Sequence, residues 1–117
     1  MILIGTSGFS YEDWKGEFYP PRISVKDMLS FYCQVFPAVE INSSYYAIPS
    51  PSTTADMARR TPTDFKFTVK AHKDITHSER ADHKVFRAFL SSIDPLRKSG
   101  KLGCVIAQYP WSFKPSS

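Results

Sequence analysis

At 117 residues, with 42% hydrophobic and 22% charged side chains, the chain has the size and make-up of one small folded domain, which excludes disorder as the default. Its formal net charge is +4, yet the 15 Lys and Arg are scattered and form no long run, so a nucleic-acid-binding tail is not indicated. No apolar stretch approaches the roughly 20 residues of a membrane span, and the start MILIGTSG lacks the charged region of a secretory signal. The composition therefore reads as cytoplasmic.

In chain order, ILIGTS (2–7) predicts a first strand. Val25, Met28, Leu29, Tyr32, Cys33 and Phe36 then recur at helical spacing, with Ser24 and Asp27 as an N-terminal cap. A second strand, AVEIN (38–42), precedes a short helix over 52–60, capped by Ser50 or Ser52 and closed before Pro62. The third strand is FKFTVKA (65–71). The helix after it, over 83–96, gathers Val85, Phe86, Phe89, Leu90 and Ile93 on one side; Pro95 should disturb its last turn and Gly100 should stop it. LGCVIAQY (102–109) is the fourth strand.

Strands alternating with helices at a repeat of about 30 residues imply βαβ units and a parallel sheet. Each strand carries an apolar face and a second face that turns polar toward its C-terminal end. Val39 and Ile41 oppose Glu40 and Asn42; Phe65, Phe67 and Val69 oppose Lys66, Thr68 and Lys70; Val105 and Ala107 oppose Ile106 and Gln108. A doubly wound sheet, buried on both faces, would favour continuous apolar runs. A barrel whose ligand chemistry gathers at the C-terminal mouth accounts for the pattern better. The expectation is an α/β fold equal to half of a TIM (β/α)8 barrel, with open edges at the first and fourth strands through which the chain could self-associate. Cys33 and Cys104 fit no metal or redox spacing and are expected as reduced core thiols.

The stretches GTSGFSYEDWKGEFYP (5–20), VEINSSYYAIPSP (39–51), FTVKAHKDITH (67–77) and GKLGCVIAQYPWSF (100–113) resemble the N-terminal half of the DUF72, or YecE-like, family. The resemblance implies a TIM barrel of about twice this length, so that residues 1–117 form a partial domain with the second half absent. It implies no settled activity.

A carboxylate on an inward face is tolerated only when paired or hydrogen-bonded. Glu40 is therefore expected to pair with Lys70 on the neighbouring strand, with Asn42 and Gln108 adding amides. Together they would form a polar cluster at the barrel mouth. Glu40, Lys70 and His77 are the candidate catalytic groups, and Ser7, Trp14, Tyr19, Asn42, Tyr46 and Gln108 the candidate ligand contacts. The turn GTSG (5–8) offers glycines and free N–H groups to an anion. The aromatic loop after it, with Phe9, Tyr11, Trp14, Phe18 and Tyr19, either shapes a pocket or covers the barrel rim. His72 and His77 could act as acid or base. They complete no metal set with Glu40, because strands one and four supply no further ligand. The residues name no cofactor.

The leading functional expectation is an enzyme of hydrolase or isomerase type, acting on a small anionic or sugar-like substrate in its full-length form and inactive as this chain alone. The competing reading is a module binding nucleic acid or protein through the basic surface and the aromatic loop. No membrane partner is indicated.

Overall fold

The computed structural model describes residues 2–76 and 83–108. Four strands, β1 (Gly5–Ser7), β2 (Ala38–Ile41), β3 (Lys66–Lys70) and β4 (Leu102–Ile106), form one sheet in the order β1-β2-β3-β4. All three pairings are parallel. The helices are α1 (Val25–Tyr32), α2 (Pro51–Arg59), a single turn α3 (Lys73–Thr76), and α4 (His83–Lys98). This is the expected α/β arrangement of sequential βα units.

Alternation in β2 and β3 sends Val39, Ile41, Phe67 and Val69 to the helix side, where they join Met28, Leu29, Tyr32, Phe65, Phe89, Ile93 and Leu96 in one core. Phe67, Met28 and Tyr32 are wholly buried; enclosing a side chain of that size is worth roughly 1.5–3 kcal/mol. Polar contacts tie the layers together. The Tyr32 hydroxyl, reaching from α1, accepts from the Thr6 N–H at 2.8 Å and donates to the Ala38 carbonyl at 2.8 Å, so one side chain fastens α1 to β1 and β2. Thr54 on α2 donates to the Ser92 carbonyl on α4 at 2.5 Å.

The helix ends follow local chemistry. Ser50 is the cap of α2: its hydroxyl accepts from the Thr53 N–H at 3.2 Å, and Pro51 follows at the first helical position. Ser24 makes no such bond at α1; its hydroxyl meets the Asp27 carboxylate instead, at 2.9 Å. Pro95 does not end α4, which runs on to Lys98. The proline withholds the N–H owed to the Ser91 carbonyl, and Ser91 is exposed, so water can satisfy that oxygen. Phe86 and Leu90 lie outside the packed side of α4, at 45% and 51% exposure; its buried side is Phe89, Ser92, Ile93 and Leu96.

Two further expectations are corrected. Ile2, Leu3 and Ile4 do not belong to β1, which begins at Gly5, and all three are exposed. Cys104 is not a core thiol. It is exposed, whereas Cys33 is half-buried; both are free. Lys101 is 7% exposed, and its ammonium donates to the Thr61 carbonyl at 2.7 Å and to the Ala58 carbonyl at the end of α2. Among the described residues, no helix is long and apolar enough to cross a membrane.

Candidate functional site

The sheet's second face, opposite the helices, carries the polar residues. Register sets Ser7 beside Glu40, Glu40 beside Thr68, and Thr68 beside Cys104. One hydroxyl, one carboxylate, a second hydroxyl and a thiol thus form a row across all four strands. They line a shallow groove of about 280 Å³ together with Gly5 and Ile106.

The row depends on an irregularity between β3 and β4. Phe67 pairs with Leu102, but Thr68 pairs with Cys104, so Gly103 is an extra residue. Leu102 and Cys104, two apart, would share a face in a regular strand. Here Leu102 packs against the core and Cys104 joins the open face. The Thr68 hydroxyl lies 3.7 Å from the Cys104 sulfur.

The expected Glu40–Lys70 ion pair is absent among the described residues. Lys70 is two positions beyond Thr68, the partner of Glu40, and pairs with Ile106 one row further out. Its ammonium lies 5.0 Å from the centre of the Tyr45 ring, a cation–π contact. No described residue hydrogen-bonds or pairs with the Glu40 carboxylate. Half-buried at the strand level where Gly8 donates its N–H to the Glu40 carbonyl at 2.8 Å, that side chain is available to a ligand.

Asn42, just past β2, donates its amide N–H to the Ser7 hydroxyl, which joins two of the expected ligand contacts. Its Oδ1 is buried and unpartnered. Gln108 is exposed beyond the end of β4, and no hydrogen bond joins it to Asn42 or Lys70. Tyr46 is 71% exposed and stands edge-on to Tyr45, with ring centres 4.9 Å apart. His77 lies outside the described residues. His72 is buried and braces the loops. Its Nε2–H donates to the Tyr46 carbonyl at 3.2 Å, while Nδ1 accepts from the Asp74 N–H at 3.1 Å, a pattern that fits the neutral ring.

The aromatic loop divides its roles. Trp14, Phe18 and Tyr19 meet one another and the rings of Phe31 and Tyr32 edge-on or tilted, as an extension of the core. Tyr19 is 1% exposed and donates its hydroxyl to the Phe9 carbonyl, so it is packed in the core and not presented to a groove. Burial, and secondarily the neighbouring Tyr32, push the Tyr19 hydroxyl up to about 12. Phe9 and Tyr11, by contrast, line a cavity.

Reading the strands missed Thr68, Cys104 and Ser44 as positioned groups. Thr68 was visible as an inward position of β3. Ser44 is fully buried, and its hydroxyl lies 2.5 Å from the Lys70 carbonyl and 3.1 Å from that of Ile41, fastening the ends of β2 and β3. Among the described residues, no three of His, Cys, Asp and Glu come together as a metal-binding group.

A parallel sheet in sequential order, helices on one face and polar side chains on the other, defines a partial TIM-like barrel of the α/β class. Residues 3–117 match the family described as "Protein of unknown function DUF72", and the chain belongs to that family. It is 34% identical to UPF0759 protein YunF of Bacillus subtilis and 29% identical to UPF0759 protein YecE of Escherichia coli, covering 94% and 98% of this chain. It spans 40% of the length of each of these relatives. A crystal structure of a DUF72 family protein from Thermotoga maritima superimposes with a TM-score of 0.81 at 39% identity, over 99% of this chain and 47% of that one. A DUF72 family protein from Enterococcus faecalis gives 0.68 at 28% identity, over 80% and 39%.

Proposed function

We propose that the polar end of the open face binds a small anionic or polyhydroxy molecule, and that the full-length form is an enzyme in which Glu40 accepts a proton from it. The observation that carries this reading is the row Ser7–Glu40–Thr68–Cys104, with a carboxylate at its centre that no described side chain neutralises. Hydroxyl groups of a ligand can donate to Glu40 and exchange hydrogen bonds with Ser7 and Thr68. Lys70, one row nearer the strand ends, supplies the positive charge for an anionic substituent. In this reading Lys70 is a ligand contact and not the partner of Glu40. A general base must come within hydrogen-bond reach of the proton it takes, which a carboxylate on an open groove allows. The row belongs to one domain comprising residues 1–117, the part of the barrel this chain supplies.

The test is a titration of the isotope-labelled chain with inorganic phosphate, free aldoses and aldose phosphates, followed by amide chemical shifts. Aldose phosphates should move the signals of Ser7, Glu40, Thr68 and Lys70. Glu40→Gln should weaken aldose binding, and Lys70→Met should remove the preference for the phosphorylated form. No shift along this row at millimolar ligand, or shifts indifferent to Glu40→Gln, would sink the reading.

A further inference from the structure

A second cavity lies on the other side of β2. It holds about 330 Å³, near the lower end of the roughly 300–1,000 Å³ usual for small-molecule sites. Its walls are mostly apolar, from Phe9 and Tyr11 in the loop after β1, Ile41 at the end of β2, Pro49, and Met57 on α2, with Asn42 and three hydroxyl residues, Ser10, Ser43 and Thr53, at the polar edge. The apolar walls are two aromatic rings, a thioether and aliphatic surface. A flat apolar molecule finds matching contacts on several sides.

The second observation is Asn42 Oδ1. It is a buried acceptor with no hydrogen-bond partner among the described residues, on a side chain that lines this cavity. Buried carboxamide oxygens are ordinarily paired, and an orphan calls for a partner. The terminal torsion of an asparagine is soft, and a turn that presents Oδ1 to the cavity exchanges the amide's contact with Ser7 for one with the ligand.

We infer that this cavity is a binding site for a small planar apolar molecule carrying one N–H or O–H donor, held between Phe9, Tyr11 and Met57 and donating to Asn42 Oδ1. The site is separate from the open-face row and does not depend on what that row does. Asn42 and Tyr11 both touch the two sites, since the Asn42 amide N–H meets the Ser7 hydroxyl and the Tyr11 hydroxyl donates to the Ser7 carbonyl.

Indole and N-methylindole are the probes, alike in shape but differing in the donor. Indole titrated into the isotope-labelled chain should shift the amides of Gly8, Phe9, Ile41 and Thr53. N-methylindole should bind roughly tenfold more weakly, having no hydrogen to donate to the orphan oxygen. Thr53 is an exposed residue of the cavity wall, so Thr53→Trp should fill the space without disturbing the core and abolish binding of both probes. Glu40→Gln should leave indole binding unchanged, which separates a failure here from a failure of the open-face reading. Absence of these shifts at millimolar indole, or indole bound as well by Thr53→Trp, overturns the site. Equal affinity for the two probes overturns the role of Asn42.

Discussion

The Lys101 ammonium reaches under the end of α2 and donates to both the carbonyl and the hydroxyl of Thr61, at 2.7 and 3.2 Å. With the Ala58 carbonyl as a third acceptor, a buried positive charge occupies the place where a helix leaves its last carbonyls unpaired and its dipole is negative. Lys101→Met keeps most of the volume but takes the ammonium from the Thr61 carbonyl, while the Ala58 carbonyl keeps its bonds from the Thr61 N–H and hydroxyl. Hydrogen bonds to charged groups are worth about 1.5–3 kcal/mol, and the stability loss should fall in that range. Urea unfolding followed by circular dichroism measures it; a loss below about 0.5 kcal/mol would mean the oxygens find other partners.

Tyr32→Phe removes one atom and takes from two half-buried backbone groups, the Thr6 N–H and the Ala38 carbonyl, the hydroxyl they share. An unsatisfied buried group costs about 1–3 kcal/mol. The expected outcome is a loss of that order in equilibrium unfolding, with amide exchange at Thr6 accelerated more than at Phe67. Uniform acceleration would contradict the local role given to the hydroxyl.

Gly5 marks the closest approach of β1 to β2. A Cβ there would stand 2.0 Å from the Ala38 carbonyl oxygen, which no side-chain motion can relieve. Gly5→Ala should therefore part β1 from β2 and cost at least the roughly 1–3 kcal/mol of an overpacked core. Gly103, whose φ is not positive and where an added Cβ would come no closer than 3.4 Å to a non-neighbouring residue, is the control for a mere glycine effect. Thermal unfolding of both variants gives the comparison.

Alkaline stability should track Tyr19. Its hydroxyl is raised from 10.0 to about 12 by burial and by Tyr32. The contribution is fully present below pH 10, where the group is protonated in both states. It is lost as pH rises toward about 12, because the unfolded chain ionises first. Urea midpoints should decline over that window, and Tyr19→Phe should flatten the decline. An equal slope in the variant would assign it to other groups.

Much of the fold was legible because period and parity are properties of the chain itself. Val39 and Ile41 against Glu40, and Phe67 and Val69 against Thr68 and Lys70, announce which side meets the helices. What escaped depends on register and on partners distant in sequence. The carboxylate of Glu40 was assigned to Lys70 because both point inward, but pairing fixes Thr68 as its neighbour. Lys101 looks like any surface lysine until α2, some 40 residues earlier in the chain, ends above it. The hydrophobic start Ile2–Ile4 has strand composition without a strand to pair with in the described residues. Pro95 is expected to disturb the last turn of its helix, yet α4 runs on to Lys98 because the bond the proline removes falls on the solvent side. At the site, the residue types on the open face were legible, but not their alignment into one row, since that alignment passes through Gly103.

The extra glycine in β4 gives the molecule a built-in chemical reporter. Because that one residue reverses the strand's parity, a sulfhydryl emerges on the groove beside Thr68, while the other cysteine stays half-covered with its ionisation suppressed by burial. An alkylating dye should consequently modify Cys104 well ahead of Cys33, and whatever occupies the groove should slow that modification. Ligands can thus be screened by footprinting before any reaction has been assigned.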